Sequence, residues 1–225
     1  MVSGINRGNN YGLHALYSGT VAGAREAAAK GCVAVALSLD THAAGADYPP
    51  AAAAVLPLMR ALLARLRAGG AEALRGTVLN VNIPYTPHAA LRGYQLCAQG
   101  YECTLPGFRE VQVPAGAAAA LEAISKGPLR AWRNSALNGA RLDRRPGTDA
   151  AAVAEARIAV QVLTLLSCAL AGGRQAAPSL PQVPEGLNDA AADAVLDAAV
   201  AAAVGAGGAA VGLHLAAAPA EDSSL

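Results

Sequence analysis

The chain has 225 residues and a formal net charge of +1, and 54% of its residues are hydrophobic although only 4% are aromatic. This length suits one domain of ordinary size with an appendage, and the core must be built from small aliphatic side chains. The near-neutral charge excludes a general electrostatic attraction to nucleic acid or to an anionic membrane. The sequence carries no secretory signal pattern and no long transmembrane-type run, so we expect a soluble protein.

The first thirty residues predict a loop rich in glycine and asparagine, followed by a capped helix. The loop is residues 3–10, with the sequence SGINRGNN. Ser18 is a good N-cap for a helix over residues 19–30, because its hydroxyl can accept from an unpaired N–H of the first turn. Gly31 then ends the helix, since glycine readily adopts the left-handed conformation found after helix C-termini.

The next elements alternate between strand and helix. Residues 32–39 are nearly all apolar, as in a buried parallel strand, and residues 51–68 place apolar side chains at helical spacing. Residues 78–83 alternate in the manner of a strand and end at Pro84. This alternation predicts a Rossmann-like, three-layer α/β fold with a mostly parallel sheet.

The middle of the chain is less regular and predicts an irregular β extension. Residues 93–98 and 108–113 are short strand candidates, residues 115–125 favour a helix, and residues 130–145 form a basic stretch around Trp132. Gly147, Thr148 and Asp149 begin a helical or extended run. That run ends in an apolar segment, residues 158–166, for which the pattern leaves strand and helix open.

The composition changes after about residue 170. We therefore divide the chain into an α/β domain over residues 1–170 and a low-complexity linker with an Ala-rich tail over residues 171–225. Within the tail, Asn188 or Asp189 can cap a helix that reaches about residue 204. We expect this to be a weak helix in a disordered setting.

The two opening segments together suit a phosphate or a hard cation. The unpaired amides at a helix start lie at the positive end of the helix dipole and favour an anion. Ser18 and Thr20 add hydroxyl donors there, and Gly19 leaves the approach open. The asparagines of the preceding loop offer neutral oxygen ligands for Mg²⁺ or Mn²⁺. A tight turn followed by an ordinary capped helix explains the same residues without any function.

The sequence resembles the SurE (survival protein E) nucleotidase/phosphatase family, particularly its plant and algal branch. The resemblance is carried by SGINRGNN at residues 3–10 and YSGTVAGAREA at residues 17–27. It continues through residues 33–39 and 78–84, and more loosely at residues 93–95 and 147–149, so that it covers about residues 1–165. The Ala-rich tail has no counterpart in the family.

The resemblance implies a metal-dependent phosphomonoesterase that acts on nucleoside monophosphates and other small phosphate esters. Asn6 corresponds to the metal-binding asparagine of the family loop, and Asn10 corresponds to a second asparagine that lines the same site. Ser18, Gly19 and Thr20 correspond to the helix start that holds the phosphate. The implied cofactor is a divalent ion, Mg²⁺ or Mn²⁺.

Two features depart from the family pattern. His14 lies where plant-type members resemble this chain and many bacterial members carry an acidic residue, and it can be either a catalytic group or a loop histidine bonded to backbone. The family holds its metal mainly with an Asp-Asp pair and a serine that precede the asparagine loop, whereas only Met1 and Val2 precede this loop. We therefore expect the C-terminal portion of a SurE-like domain, without the N-terminal strands.

From these observations we expect a 5'-nucleotidase or acid phosphatase type of activity that is weak or absent in this chain. One neutral amide leaves the charge of the cation largely unmatched. The alternative is a non-catalytic α/β module with a role in assembly or anion binding. We expect a homo-oligomer to be feasible, with neither nucleic acid nor a membrane as partner, and a cytoplasmic location, or an organellar one if a transit peptide precedes this sequence.

Overall fold

A computed structural model describes residues 1–70, 72–101, 106–113, 130–136, 143–165 and 183–207. These residues form a central five-stranded sheet with helices on both faces. In chain order the elements are β1 (Val2–Arg7), α1 (His14–Tyr17), α2 (Gly19–Ala29), β2 (Ala34–Asp40), α3 (Pro49–Arg67), β3 (Thr77–Pro84), β4 (Gly93–Leu96), β5 (Pro106–Val111), β6 (Ala131–Ala136), α4 (Asp149–Ala154), β7 (Arg157–Thr164) and α5 (Asp189–Gly207).

The strand order of the sheet is β1-β2-β3-β7-β4. Three of its four neighbouring pairs are parallel, and only β3 and β7 run antiparallel. The predicted Rossmann-like α/β fold with a mostly parallel sheet is therefore confirmed. β5 and β6 form a separate antiparallel pair, in the part of the chain where an irregular β extension was expected.

The helices and strands predicted between residues 19 and 83 correspond to α2, β2, α3 and β3, with ends within two residues. The local signals act as expected, because the Ser18 hydroxyl accepts from the Val21 amide at 3.1 Å and Gly31 has a φ of 79°. Of the segment at residues 158–166, for which strand and helix were left open, residues 158–164 belong to strand β7, Arg157–Thr164. The helix predicted at residues 115–125 lies outside the described residues.

The prediction of a loop over residues 3–10 is wrong for its first half. Val2–Arg7 form β1, which pairs in parallel with β2, and only the segment from Gly8 onward is a loop. The sequence lacked the apolar signal of a strand because β1 lies at one edge of the five strands and its side chains are exposed or half-buried. The glycines and asparagines of this segment therefore predicted a turn where the structure has a strand.

The two faces of the sheet are covered by different helices. On one face, which we call the α3 face, α3 and α5 pack against the odd-numbered side chains of β2 and β3, Val35 to Leu39 and Leu79 to Ile83. On the opposite face, the α2 face, α1 and α2 cover Ala34, Ala36 and Val78, and α4 covers Ala159 of β7. α3 is long and apolar enough to span a membrane, but here its apolar side packs on the sheet.

The tail helix is part of the main core, which corrects the expectation of a disordered setting. α5 buries Ala192, Val195, Leu196 and Ala199 against the α3 face. The small alanine side chains of α5 let the helix approach the sheet closely. An Ala-rich composition, which is typical of low-complexity sequence, here belongs to a packed core helix. The Arg65 guanidinium of α3 also binds Asp193 and Asp197 of α5, at 3.1 and 2.6 Å. The domain boundary at residue 170 stays a prediction.

The connections between the parallel strands have opposite hands. From β1 to β2 and from β2 to β3 the chain moves one strand in the same direction, yet α2 lies on one face and α3 on the other. One of these two crossovers must therefore be left-handed, which is rare among βαβ units. The loops leaving β1 and β2 therefore lead to helices on opposite faces, and we call the place where they part, at the carboxyl ends of these two strands, the crevice.

Candidate functional site

The crevice between the carboxyl ends of β1 and β2 is the place where an open α/β sheet binds ligands, because the connecting loops separate there. Two hydrogen bonds connect its walls. The Gly8 amide donates to the Leu39 carbonyl oxygen at 3.0 Å, and Asn9 Nδ2 donates to Asp40 Oδ1 at 2.7 Å. The sequence stretch with the strongest functional signal therefore lines the crevice that the topology creates.

A row of polar side chains crosses the three parallel strands at this level. Asn6 of β1 is in register with Ser38 of β2, which is in register with Asn82 of β3. Ser38 and Asn82 are fully buried. Asn10, from the loop after β1, connects them, since its Nδ2 donates to Ser38 Oγ at 2.6 Å and its backbone N–H donates to Asn82 Oδ1 at 2.7 Å. We call Asn6, Ser38 and Asn82 the polar row.

A second set of buried polar side chains supports the polar row from deeper in the sheet. Asn80 Nδ2 donates to the Asn10 carbonyl oxygen at 2.8 Å and to Gln161 Oε1 at 2.7 Å. Gln161 Nε2 in turn donates to Asp149 Oδ2 at 2.6 Å. The chain of contacts therefore runs from the loop after β1, through β3 and β7, to the first residue of α4.

Asp149 is a completely buried carboxylate with several donors around it. Besides Gln161, the backbone N–H groups of Gly12, Gly100 and Ala150 donate to it at 2.6, 3.0 and 2.9 Å. Burial raises the pKa of Asp149 above its ordinary value, and these donors act in the opposite direction. Asp149 thus fixes the far end of the loop after β1 to the start of α4.

Asn6 is held with its amide oxygen available. Its Nδ2 donates to the Gly8 carbonyl oxygen at 2.9 Å, which fixes the side chain beside the loop. Gly8 has a φ of 106°, and a Cβ there would lie 2.7 Å from the His42 imidazole. Only glycine fits this position without displacing His42, so the spacing of asparagine and glycine in this segment has a physical cause.

The residues proposed for phosphate stand at the same end of the sheet but remain predictions. Ser18 is the N-cap of α2, Gly19 is exposed and Thr20 is half-buried. Asn10 instead uses its backbone groups and Nδ2 to hold the loop, which gives it a supporting position. His14 is half-buried and begins the four-residue helix α1. Neither of its two interpretations is decided.

The described residues do not form a complete divalent metal site. No group of three or more His, Cys, Asp or Glu side chains in them is placed to hold an ion. The carboxylates that contact the loop after β1 are Asp40, through Asn9, and Asp149, through Gly12, and the latter is fully buried. Asn6 Oδ1 is neutral, so Mg²⁺ would keep most of its charge unmatched here. The metal role of Asn6 stays a prediction.

Sequence reasoning missed most of the supporting network. Asn80 and Asn82 were noted only as parts of an alternating strand, and Ser38, Gln161 and Asp149 were given no role. One signal was present, because two asparagines two residues apart inside an otherwise apolar strand must both face the same side of the sheet. Buried amides need partners, so that pattern predicts a polar network on one face.

Comparison with known proteins gives a consistent result. The family model described as survival protein SurE matches residues 1–104. The 5'-nucleotidase SurE of Sorangium cellulosum is 37% identical over 166 residues, which are 73% of this chain and 56% of that protein. The 5'/3'-nucleotidase SurE of Escherichia coli O1:K1 / APEC is 34% identical over 164 residues, covering 72% of this chain and 56% of the relative.

A solved structure agrees with this similarity. The crystal structure of the SurE protein from Aquifex aeolicus superposes with a TM-score of 0.50 at 26% identity, covering 74% of this chain and 60% of that one. The chain spans about half the length of the two curated relatives described above.

Proposed function

Because the chain belongs to the SurE family, we propose that it carries out metal-dependent hydrolysis of phosphate monoesters, with nucleoside monophosphates or other small phosphate esters as substrates. The observation that carries this proposal is the polar row of Asn6, Ser38 and Asn82 at the crevice between β1 and β2. Relatives of matching sequence bear the names 5'-nucleotidase and 5'/3'-nucleotidase, which supports the same reaction class.

The polar row offers complementary groups to a phosphate ester and its counterion. Asn82 Nδ2 is buried and has no hydrogen-bond partner within the described residues, so a phosphate oxygen would satisfy this donor only if the loop after β1 moved aside. Asn6 Oδ1 is an oxygen acceptor that suits a hard cation. The first turn of α2, with Ser18, Gly19 and Thr20, adds unpaired N–H groups and hydroxyls at the positive end of an eleven-residue helix.

The metal would be Mg²⁺ or Mn²⁺, whose usual contribution to such a hydrolysis is an activated water. The described residues offer such an ion mainly neutral oxygens, which match its charge poorly. We expect slow turnover from this 225-residue chain for the same reason.

The test is hydrolysis of AMP and p-nitrophenyl phosphate by the purified chain with Mn²⁺ or Mg²⁺, before and after EDTA. Asn6→Ala should lower kcat/KM at least tenfold, because it removes one oxygen ligand of the cation and a charge-assisted contact has an effect of about this size. The matched control is Arg7→Ala, because Arg7 is the exposed next residue of β1. Absence of phosphatase activity in the unmodified chain with either ion, or full activity in Asn6→Ala, would refute the proposal.

A non-catalytic module is the second candidate, and the lack of an acidic metal cluster in the described part of the chain favours it. In that case the crevice binds phosphate without turnover. Isothermal titration with inorganic phosphate separates the two, since the module predicts Ser18-dependent binding without hydrolysis. A homo-oligomer, which sedimentation would detect, remains compatible with either candidate.

A further inference from the structure

A cavity of about 370 Å³ lies at the carboxyl end of the sheet, on the side opposite the polar row. Its floor is formed by Leu39 of β2, Ile83 of β3 and Ala51 of α3, and its rim includes Tyr85 and His88. A volume of this size falls within the range of pockets that hold small organic ligands. The cavity has no role in the hydrolysis proposed above, which uses the polar row.

The lining of the cavity suits an uncharged, flat group with polar edges. Leu39, Ala51 and Ile83 are buried apolar side chains. Tyr85 lines the cavity and is 48% exposed, so its side chain is accessible at the rim. Thr86 and His88 add polar groups at the entrance. This is the arrangement in which a nucleobase stacks on an aromatic ring while its edge is hydrogen-bonded.

The same lining disfavours a phosphate. α3 begins beside the cavity with Pro49 and Pro50, and neither proline has an N–H to donate to an anion. The helix start therefore lacks two of the donors that make other helix N-termini anion sites. The Asp47 carboxylate also lines the cavity and repels negative charge. Phosphate is thus directed to the polar row rather than to the cavity.

The register of the strands places the two sites next to each other. Ser38 pairs with Asn82 in the polar row, and two residues later Asp40 pairs with Pro84, which lines the cavity. Two residues of a strand span about 7 Å. A ligand lying across this edge would meet Asn6, the half-buried member of the polar row, while Ser38 and Asn82 stay buried in contact with Asn10.

We propose that this cavity holds the nucleoside part of the substrate, with the base against Tyr85 and the sugar crossing the sheet edge toward the polar row. This inference rests on the proposed function, because it names the part of a nucleoside monophosphate that lies outside the phosphate site. On this proposal the cavity determines the preference of the protein for nucleotides over simple phosphate esters.

Binding of adenosine tests the cavity independently of hydrolysis, since adenosine has no phosphate. Equilibrium dialysis of the full chain with labelled adenosine should show saturable binding, and Tyr85→Ala should weaken it about tenfold, whereas Tyr85→Phe should retain it. Tyr101→Ala is the matched control, because Tyr101 is 44% exposed and does not line the cavity. Ala51→Leu, which fills the floor, should also weaken binding, with circular dichroism confirming its fold.

The outcomes distinguish the two proposals. Adenosine binding that depends on Tyr85 in a chain without phosphatase activity would support the cavity and refute the hydrolysis. Hydrolysis of AMP in which Tyr85→Ala leaves both kcat/KM and adenosine binding unchanged would refute the cavity alone. In an active chain, Tyr85→Ala should lower kcat/KM for AMP about tenfold while leaving p-nitrophenyl phosphate within twofold. Failure of adenosine to bind the unmodified chain refutes this inference.

Discussion

The two faces of the central sheet are made by the same strands, yet they bury different kinds of side chain. On the α3 face, β2 and β3 contribute aliphatic residues to a continuous core with α3 and α5. On the α2 face, β2 contributes two alanines and β3 contributes Val78 toward their amino ends, and the same strands carry Ser38, Asn80 and Asn82 farther along. The difference shows that alternation along a strand can place a continuous apolar core on one face of a sheet and a buried polar network on the other.

The largest expected effect is on the polar side. Asp149→Ala removes the acceptor for three backbone N–H groups and for Gln161, and it leaves buried donors without partners. We expect a loss of about 4 kcal/mol in the free energy of unfolding, measured by urea denaturation. Asp149→Asn keeps one acceptor oxygen and should lose less. A loss below about 1 kcal/mol for Asp149→Ala would show that the network is not needed for stability.

A somewhat smaller effect is expected on the apolar side. Leu58 of α3 is completely buried in the core of the α3 face, so Leu58→Ala should cost about 3 kcal/mol through lost burial and a residual cavity. Because this face does not contact Asn10, kcat of the folded variant should remain unchanged if the chain is active. Loss of kcat in the folded variant would show that packing on the α3 face affects the polar row on the opposite face.

The smallest effect concerns a second carboxylate near the polar side, Asp143. Its contacts with the Arg145 guanidinium, assisted by the Tyr101 amide, lower the pKa of Asp143 to about 2. A lowered pKa stabilises the folded state above the unfolded value of 3.8, and this contribution is lost as pH falls from about 4 to about 2. We expect on the order of 1 kcal/mol, because Arg145 is exposed and solvent weakens the pair.

Asp143→Asn should therefore reduce the acid sensitivity of unfolding between pH 4 and pH 2, as followed by circular dichroism. Glu26→Gln is the control, since Glu26 is exposed on α2. An Asp143→Asn variant whose stability falls with acid as steeply as that of the unmodified chain would contradict the assigned cause.

Much of the fold was predictable because it depends on local signals. The apolar run of β2, the helical spacing of α3 and the caps of α2 lie within a few residues of sequence and act before any distant contact forms. β1 was missed because an edge strand with glycines and few buried side chains has no such signal. The burial of α5 was missed because packing of alanine depends on the partner surface, which composition does not reveal.

The site was predictable only in part. The segment from Asn6 to Asn10 drew attention through its residue types, and the structure places it at the crevice. Its supports could not be found in the same way, because Asn80, Gln161 and Asp149 are separated by up to 81 residues and meet only in the folded sheet. An isolated aspartate in the sequence gives no indication that four donors surround it.

The contacts of Asn10 determine how the loop after β1 would respond to a ligand. Its backbone N–H, its carbonyl oxygen and its side-chain amide all have protein partners before any substrate arrives. The loop is therefore preorganised, and binding would not require a large entropic cost for ordering its backbone.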